Sequence, residues 1–216
     1  MPLLILASTS PRRREILADA WPGSLEVRPP GVDEDGPMSG EIPADYAIRL
    51  AAAKAQRVAA RPTGALVIAA DTVVELDGLA LGKPKGPCDA RAMLQSLRGR
   101  EHSVTTGLAV AGPGDSEILT GCETTIVKMR RYSGNEIDAY VASGGPFDKA
   151  GGYGIQDLVF SPAQGVRDCY LNVVGLPLCR LSALLDKAEL GTGSALDPGS
   201  CAACHTAAVV KAGAAV

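Results

Sequence analysis

The sequence predicts an α/β protein with a central mixed β-sheet flanked by helices, and three observations carry that prediction. Short apolar runs at residues 3–7 and 66–70, and paired strand-like stretches at 104–111 and 118–129, alternate with segments whose apolar residues recur at helical spacing. Clusters of Gly, Pro and Asp punctuate the chain between them. The 216 residues are 46% hydrophobic and 21% charged, which is enough to bury a sizeable core in one large unit or two small lobes.

Taken in order, residues 3–7 read as a short buried strand, and Ser10-Pro11 supplies an N-cap and a first-turn proline for a helix reaching about Ala20. Residues 24–42 are loop-rich and contain an acidic knot, Asp33-Glu34-Asp35. From Ala44 to about Ala60, Ala47, Ile48, Ala51, Ala55 and Val58 mark a helix. The continuous apolar run 66–70 reads as a central strand buried on both faces, followed by a second strand at 73–76 and the turn Asp77-Gly78. A helix follows at 89–97. Residues 104–111 and 118–129 pair as strands around Gly112-Pro113-Gly114. Ser133 and Glu136 form a capping box for a helix through Val141, ahead of a glycine-rich stretch at 144–154. Residues 170–174 read as a last strand, and Pro177 starts a last helix ending near Leu190. Mixed strand order of this kind usually places a ligand at the carboxyl ends of strands.

Several classes are excluded. Hydrophobicity is too high for disorder, and no run reaches the length of a membrane span. A net charge of −3 and 4% aromatics argue against a broad nucleic-acid surface or a base-stacking platform. The N-terminus lacks a basic leader and a signal-length apolar core, so the expected compartment is the cytoplasm, with reduced cysteines. The six cysteines are irregularly spaced, and Cys88, Cys122, Cys169 and Cys179 read as small core residues. Residues 191–216 form a low-complexity tail, expected to be poorly ordered, that holds Asp197, Cys201, Cys204 and His205. Cys201-Ala-Ala-Cys204-His205 fits the haem-attachment spacing, but such attachment needs export, so chance in an alanine-rich tail is the better reading.

Four clusters can carry chemistry. Ser8-Thr9-Ser10-Pro11-Arg12-Arg13-Arg14 joins a strand to a helix N-terminus, where free N–H groups and arginine forks suit phosphate oxygens; the alternative is an ordinary cap with solvated arginines. Asp71-Thr72 follows a buried strand, where a carboxylate is costly unless it is paired, binds a metal or acts as a base; otherwise it simply turns the chain. Lys83 and Lys85 flank Pro84, with Lys54 on the preceding helix, and lysines are commonly just solvated surface. Asp148, Lys149 and Gln156 lie among glycines that let backbone approach a ligand, or that only form a tight turn. Phosphate donors, an acidic centre and an amide able to read a base edge point together to nucleotide phosphate chemistry. The Walker-type spacing is absent. His102, at a helix-to-strand connection, reads as structural.

In this order, Leu6-Ala-Ser-Thr-Ser-Pro-Arg-Arg13, Ala70-Asp-Thr-Val-Val74, Leu81-Gly-Lys-Pro84, His102-Ser-Val-Thr-Thr-Gly107, Asp148-Lys-Ala-Gly151 with Tyr153-Gly-Ile-Gln156, and Asn172-Val-Val-Gly-Leu-Pro177 resemble the Maf-like nucleoside triphosphate pyrophosphatases. The resemblance covers about residues 3–187 and makes residues 1–190 the enzymatic domain. It implies an elongated, inosine triphosphate pyrophosphatase-like fold with a deep cleft between two lobes. It also implies hydrolysis of a nucleoside triphosphate to the monophosphate and pyrophosphate, with Mg²⁺ or Mn²⁺, and a homodimer.

Carried over residue by residue, Asp71 is the proton acceptor, and Glu34 aids metal binding and water activation. Whether Asp71 is a base or mainly a metal ligand stays open. Ser8, Arg13, Lys54 and Lys83 would contact phosphates. Arg12, Thr72 and Gln156 match the subgroup acting on dTTP and UTP, and modified pyrimidine triphosphates fall within its range. The neutral Gln156 amide suits the edge of uracil or thymine. The alternatives are a 7-methyl-GTP-type pyrophosphatase, or a septum-formation inhibitor acting mainly by binding. Two departures stand out: Gly145 replaces the acidic residue of the family's S-G-E-P, and residues 157–162 lack its small glycine-rich run.

Overall fold

Strand β3 (Leu66–Leu76) runs through the middle of the molecule, apolar on both faces and interrupted only at Asp71-Thr72 and Glu75. The computed structural model describes residues 2–60, 64–113, 117–188 and 196. Around β3 lies a seven-stranded mixed sheet in the order β2 (Leu25–Val27), β1 (Leu4–Ala7), β3, β5 (Glu101–Ala111), β6 (Leu119–Met129) and β7 (Ala163–Arg167), with β4 (Leu79–Leu81) also paired to β3. Strands β2, β1 and β3 run parallel, and the remaining pairings are antiparallel.

Alternation along the strands sorts side chains onto two helical layers. Leu4, Leu6, Leu66, Ile68, Leu108 and Val110 pack with Leu17 of α1 (Pro11–Ala20) and Leu181 and Leu185 of α6 (Leu178–Lys187). Ile5, Ala7, Val67, Ala69 and Ala109 pack instead on α2 (Pro43–Ala59). That second layer is tight. Ala51 and Ala55 keep α2 low on the sheet, and a Cβ at Gly107 would lie 2.4 Å from the Ala47 backbone. A third cluster joins Val74, Val104 and Met129 to Leu94 of α3 (Pro87–Leu97) and Ile137 of α4 (Gly134–Ala142). Among the described residues, no helix is long and apolar enough to cross a membrane.

One edge of β3 is partly open. Strand β1 covers it at Leu66–Ala69 and β4 covers it at Val74–Leu76, so residues 70–73 have no strand partner on that side. The other edge is fully paired to β5.

The structure corrects several expectations. The runs 66–70 and 73–76 are one continuous strand, because the β5 ladder continues straight through Asp71 and Thr72. Residues 170–174 form a helix, α5 (Tyr170–Val174), ended by Gly175 in a left-handed conformation with φ 119°. Its β-branched content resembles a strand, but tertiary packing overrides the propensity. Strands β2, β4 and β7 carry too little alternation to be visible in the sequence and exist through their neighbours. Cys88 and Cys179 are exposed and Cys122 is half-buried, so only Cys169 of the four is a core residue. Leu196, from the expected tail, is buried in the first cluster. The Cys201, Cys204 and His205 motif and Asp197 lie outside the described residues.

Candidate active site

A cavity of about 1200 Å³ opens at the uncovered edge of β3. It lies beyond the carboxyl end of β1, where an open α/β sheet usually binds its ligand. It is lined by the β1–α1 junction, the loop after β2, one face of α2, the middle of β3, the end of β4 with the β4–α3 loop, and residues 148–157, with Val104 of β5 and the end of α5 completing it. The nine residues given roles by the resemblance, Ser8, Arg12, Arg13, Glu34, Lys54, Asp71, Thr72, Lys83 and Gln156, are among its lining, as are Lys85, Asp148 and Lys149.

Asp71 faces α2 and is 8% exposed. Its partner, Lys54, is 5% exposed. Lys54 sits three residues after Ala51 and seven after Ala47, on the stripe that α2 presses against the sheet, and an ammonium there must be paired. Its Nζ donates to Asp71 Oδ1 at 2.5 Å and to Glu34 Oε1 at 2.8 Å. Glu34 Oε2 accepts from Lys83 Nζ at 3.1 Å, so two lysines and two carboxylates form one chain across the cavity. Burial alone raises the Glu34 carboxyl. The hydrogen bonds and charges of Lys54 and then Lys83 outweigh it and hold the pKa down at about 2.

Helix α1 begins with three arginines and no acidic residue in its first turn, against the preference of the helix dipole. Ser10 caps it, accepting from the Arg13 N–H at 3.5 Å, and the buried Ser8 Oγ accepts from the Ser10 N–H at 3.1 Å. Arg13 donates through Nε to the Gly175 carbonyl and through Nη1 to the Ala70 carbonyl, both at 2.8 Å, and through Nη2 to Thr72 Oγ1 at 2.9 Å. Three of its five N–H donors are thereby used on protein, one of them on the uncovered edge of β3. Arg12 reaches across to Asp148 at 3.5 Å, and Arg14 is exposed.

The opposite wall is built differently. Gly151 N–H donates to the Gly82 carbonyl at 3.0 Å, tying a short 3₁₀ turn to the Lys83 loop. Tyr153, buried, has its hydroxyl 2.7 Å from His102 Nε2. Burial lowers the His102 pKa to about 4 and raises that of Tyr153, so both are neutral near pH 7. Gln156 is exposed at the rim. The two departures from the family pattern belong together here. A Cβ at Gly145 already lies 2.3 Å from the Tyr140 ring, which stacks on Phe160 with centroids 4.2 Å apart.

Sequence reasoning missed Tyr46, Thr106, Asn172 and Gly175. Tyr46 lines the cavity, and burial followed by the charges of Asp71 and Glu34 raises its pKa. Thr106 and Asn172 lay inside motifs already noted, with nothing to mark them as neighbours of Thr72.

This constellation sets arginine and lysine donors and paired carboxylates beside a glycine-rich wall in one cavity of an α/β sheet. Residues 3–188 match the family described as Maf-like protein, and the chain belongs to that family. A dTTP/UTP pyrophosphatase from Geotalea uraniireducens is 46% identical over 178 residues, covering 82% of this chain and 91% of its own. One from Dictyoglomus thermophilum is 42% identical over 184 residues (85% and 95%). One from Sphingopyxis alaskensis is 44% identical over 193 residues (89% and 100%). The solved nucleoside-triphosphatase / dITP/XTP pyrophosphatase from Mycobacterium abscessus overlays 60% of this chain and 75% of its own, at 16% identity and a TM-score of 0.39.

Proposed function

We propose that this protein hydrolyses dTTP and UTP to the monophosphate and pyrophosphate. The observation that carries the reading is the Asp71–Lys54–Glu34–Lys83 chain, facing an arginine-rich helix start across one cavity. The relatives named dTTP/UTP pyrophosphatase, which align over most of this chain, support the choice of substrate. The same reading takes residues 1–190 as the catalytic unit, in keeping with the family match over 3–188.

In the reaction, a water attacks the α-phosphorus in line. The new O–P bond forms as the bond to the bridging α–β oxygen breaks, and pyrophosphate leaves. Asp71 orients that water and takes its proton. Lys54, Lys83 and the remaining N–H groups of Arg13 meet the phosphate oxygens, where negative charge builds. Lys54 is shared by two carboxylates, so it can exchange one of them for a phosphate oxygen without losing its charge partner.

A divalent cation such as Mg²⁺ or Mn²⁺ fits this donor set, because Glu34 and Asp71 converge on a single Nζ and Mg²⁺ is commonly held by one or two carboxylates plus substrate phosphates. Among the described residues, no group of three His, Cys, Asp or Glu side chains is placed to hold a metal without such help. When bound, the ion would neutralise charge on the phosphates.

The test is a substrate screen. Purified protein with Mg²⁺ or Mn²⁺ is expected to release pyrophosphate faster from dTTP or UTP than from ATP, GTP or 7-methyl-GTP. Equal rates on all five would remove the pyrimidine claim, and no release from any would remove the enzyme claim.

A further inference from the structure

Thr72 and Thr106 face each other across the β3–β5 ladder, with their hydroxyl oxygens 2.9 Å apart. Either hydroxyl can donate in such a pair, but the next link removes the choice. Thr106 Oγ1 lies 2.9 Å from the main-chain carbonyl of Asn172, which has no proton to give, so Thr106 directs its single proton there. Thr72 therefore donates to Thr106. Because Arg13 Nη2 donates to Thr72, the chain runs one way, from Arg13 through Thr72 and Thr106 to Asn172.

The far end of this chain is anchored. Asn172 is fully buried; its Oδ1 accepts from the Thr106 N–H at 3.1 Å, and its Nδ2 donates to the Val104 carbonyl at 2.8 Å. An N–H and a carbonyl on the same strand thus fix the amide, and with it the start of α5. At the other end of α5, the Gly175 carbonyl accepts from Arg13 Nε. A Cβ at Gly175 would come within 3.2 Å of that Nε and 3.3 Å of Thr72 Oγ1, a crowding that only glycine avoids at this φ.

We propose that Thr106 and Asn172 are positioning residues for nucleotide recognition, holding Arg13 in one orientation and leaving Thr72 only an accepting lone pair toward the cavity. One Thr72 lone pair takes Arg13 and the hydroxyl proton goes to Thr106, so the remaining lone pair takes a hydrogen-bond donor and turns away a carbonyl. Its partner on a nucleotide is an N–H of the base or a hydroxyl of the sugar. This rests on the pyrophosphatase reading for its substrate, and on the hydrogen-bond chain alone for its mechanism.

Two arms test it. In kinetics, Thr106→Val, which frees the Thr72 proton, is expected to lower kcat/KM for dTTP and UTP about tenfold, mainly through KM, and to narrow the preference over GTP. Thr106→Ser restores both, and Thr106→Val adds no further loss in a Thr72→Val background. In ¹⁵N NMR, the Arg13 Nε–H is expected to exchange slowly with solvent in the wild type and in Thr106→Ser, and faster in Thr106→Val and in Thr72→Val. The second of these variants sits at the half-buried end and does not depend on the core tolerating the first. Unchanged Arg13 exchange in both valine variants, or additive kinetic losses, would overturn the proposal. A wild type that releases no pyrophosphate from either pyrimidine nucleotide overturns the substrate reading instead, and the NMR arm still decides the chain.

Discussion

On the α2 side of the cavity, Lys54 and Asp71 are buried and charged, each held by the other, with Glu34 and Lys83 continuing the pairing outward. On the far side, the buried groups are neutral: Tyr153 bonds His102 and Tyr140 accepts from the Gly154 N–H at 3.2 Å, while the charged pair there joins an exposed Asp148 to a half-buried Lys149. The first wall keeps ions where water is scarce, which costs stability unless every partner stays in place. The second holds a backbone turn in shape with ordinary hydrogen bonds. A wall of the first kind suits charge development on phosphates, and one of the second kind suits contact with an uncharged base.

Breaking the first wall at its centre has the largest expected effect. Asp71→Asn keeps the shape of the side chain and removes the carboxylate; with Asp71 in the role proposed above, pyrophosphate release from dTTP should fall by about a thousandfold, in the range that positioned bases supply. The melting temperature should change far less than the rate, and a variant retaining near-normal kcat would remove Asp71 from the chemistry.

The second wall answers to pH through stability. The His102 pKa is lowered from 6.5 to about 4 by burial. Between those values the unfolded ring binds a proton that the native ring does not, so stability falls as pH drops from 6.5 toward 4 and the loss levels off below. A shift of that size amounts to about 3 kcal/mol. Urea melts over this pH range should show the slope, and His102→Asn should flatten it while leaving kcat at neutral pH nearly intact. A variant with the wild-type slope would place the acid sensitivity elsewhere.

The smallest effect sharpens the outer edge of the charged wall. The Lys83 side chain is 56% exposed and meets Glu34 at 3.1 Å, so its pairing is screened by water. Lys83→Ala should raise KM for dTTP about threefold with little change in melting temperature, the scale of a single exposed ionic contact. An unaltered KM would take Lys83 out of phosphate binding.

Much of this arrangement is legible in the residues. The alternation of apolar runs and helical stripes predicts an α/β sheet, Ser10-Pro11 predicts the start of α1, and the Ser133–Glu136 capping box is present as expected. Lys54 enters the sequence reading as a phosphate contact through the family resemblance, whereas its burial on the α2 stripe and its pairing with two carboxylates are visible only in the structure. Other features are silent. The sequence of residues 170–174 favours a strand, yet Asn172 needs a helix there to turn its amide onto β5. Asp71 reads as the end of a strand, although it lies in the middle of one and is open only because β1 stops short and β4 starts late.

The sequence by itself therefore determined the kinds of groups present, the layers, and the family, since these depend on residue type and on spacing within a few turns of chain. Only the tertiary structure decided that Glu34 and Asp71 share one lysine, and that Thr72 gives its proton to Thr106. Those facts depend on which side chains meet across 20 or 34 positions of separation, and on a carbonyl that has no proton to offer. Local spacing carries no record of either.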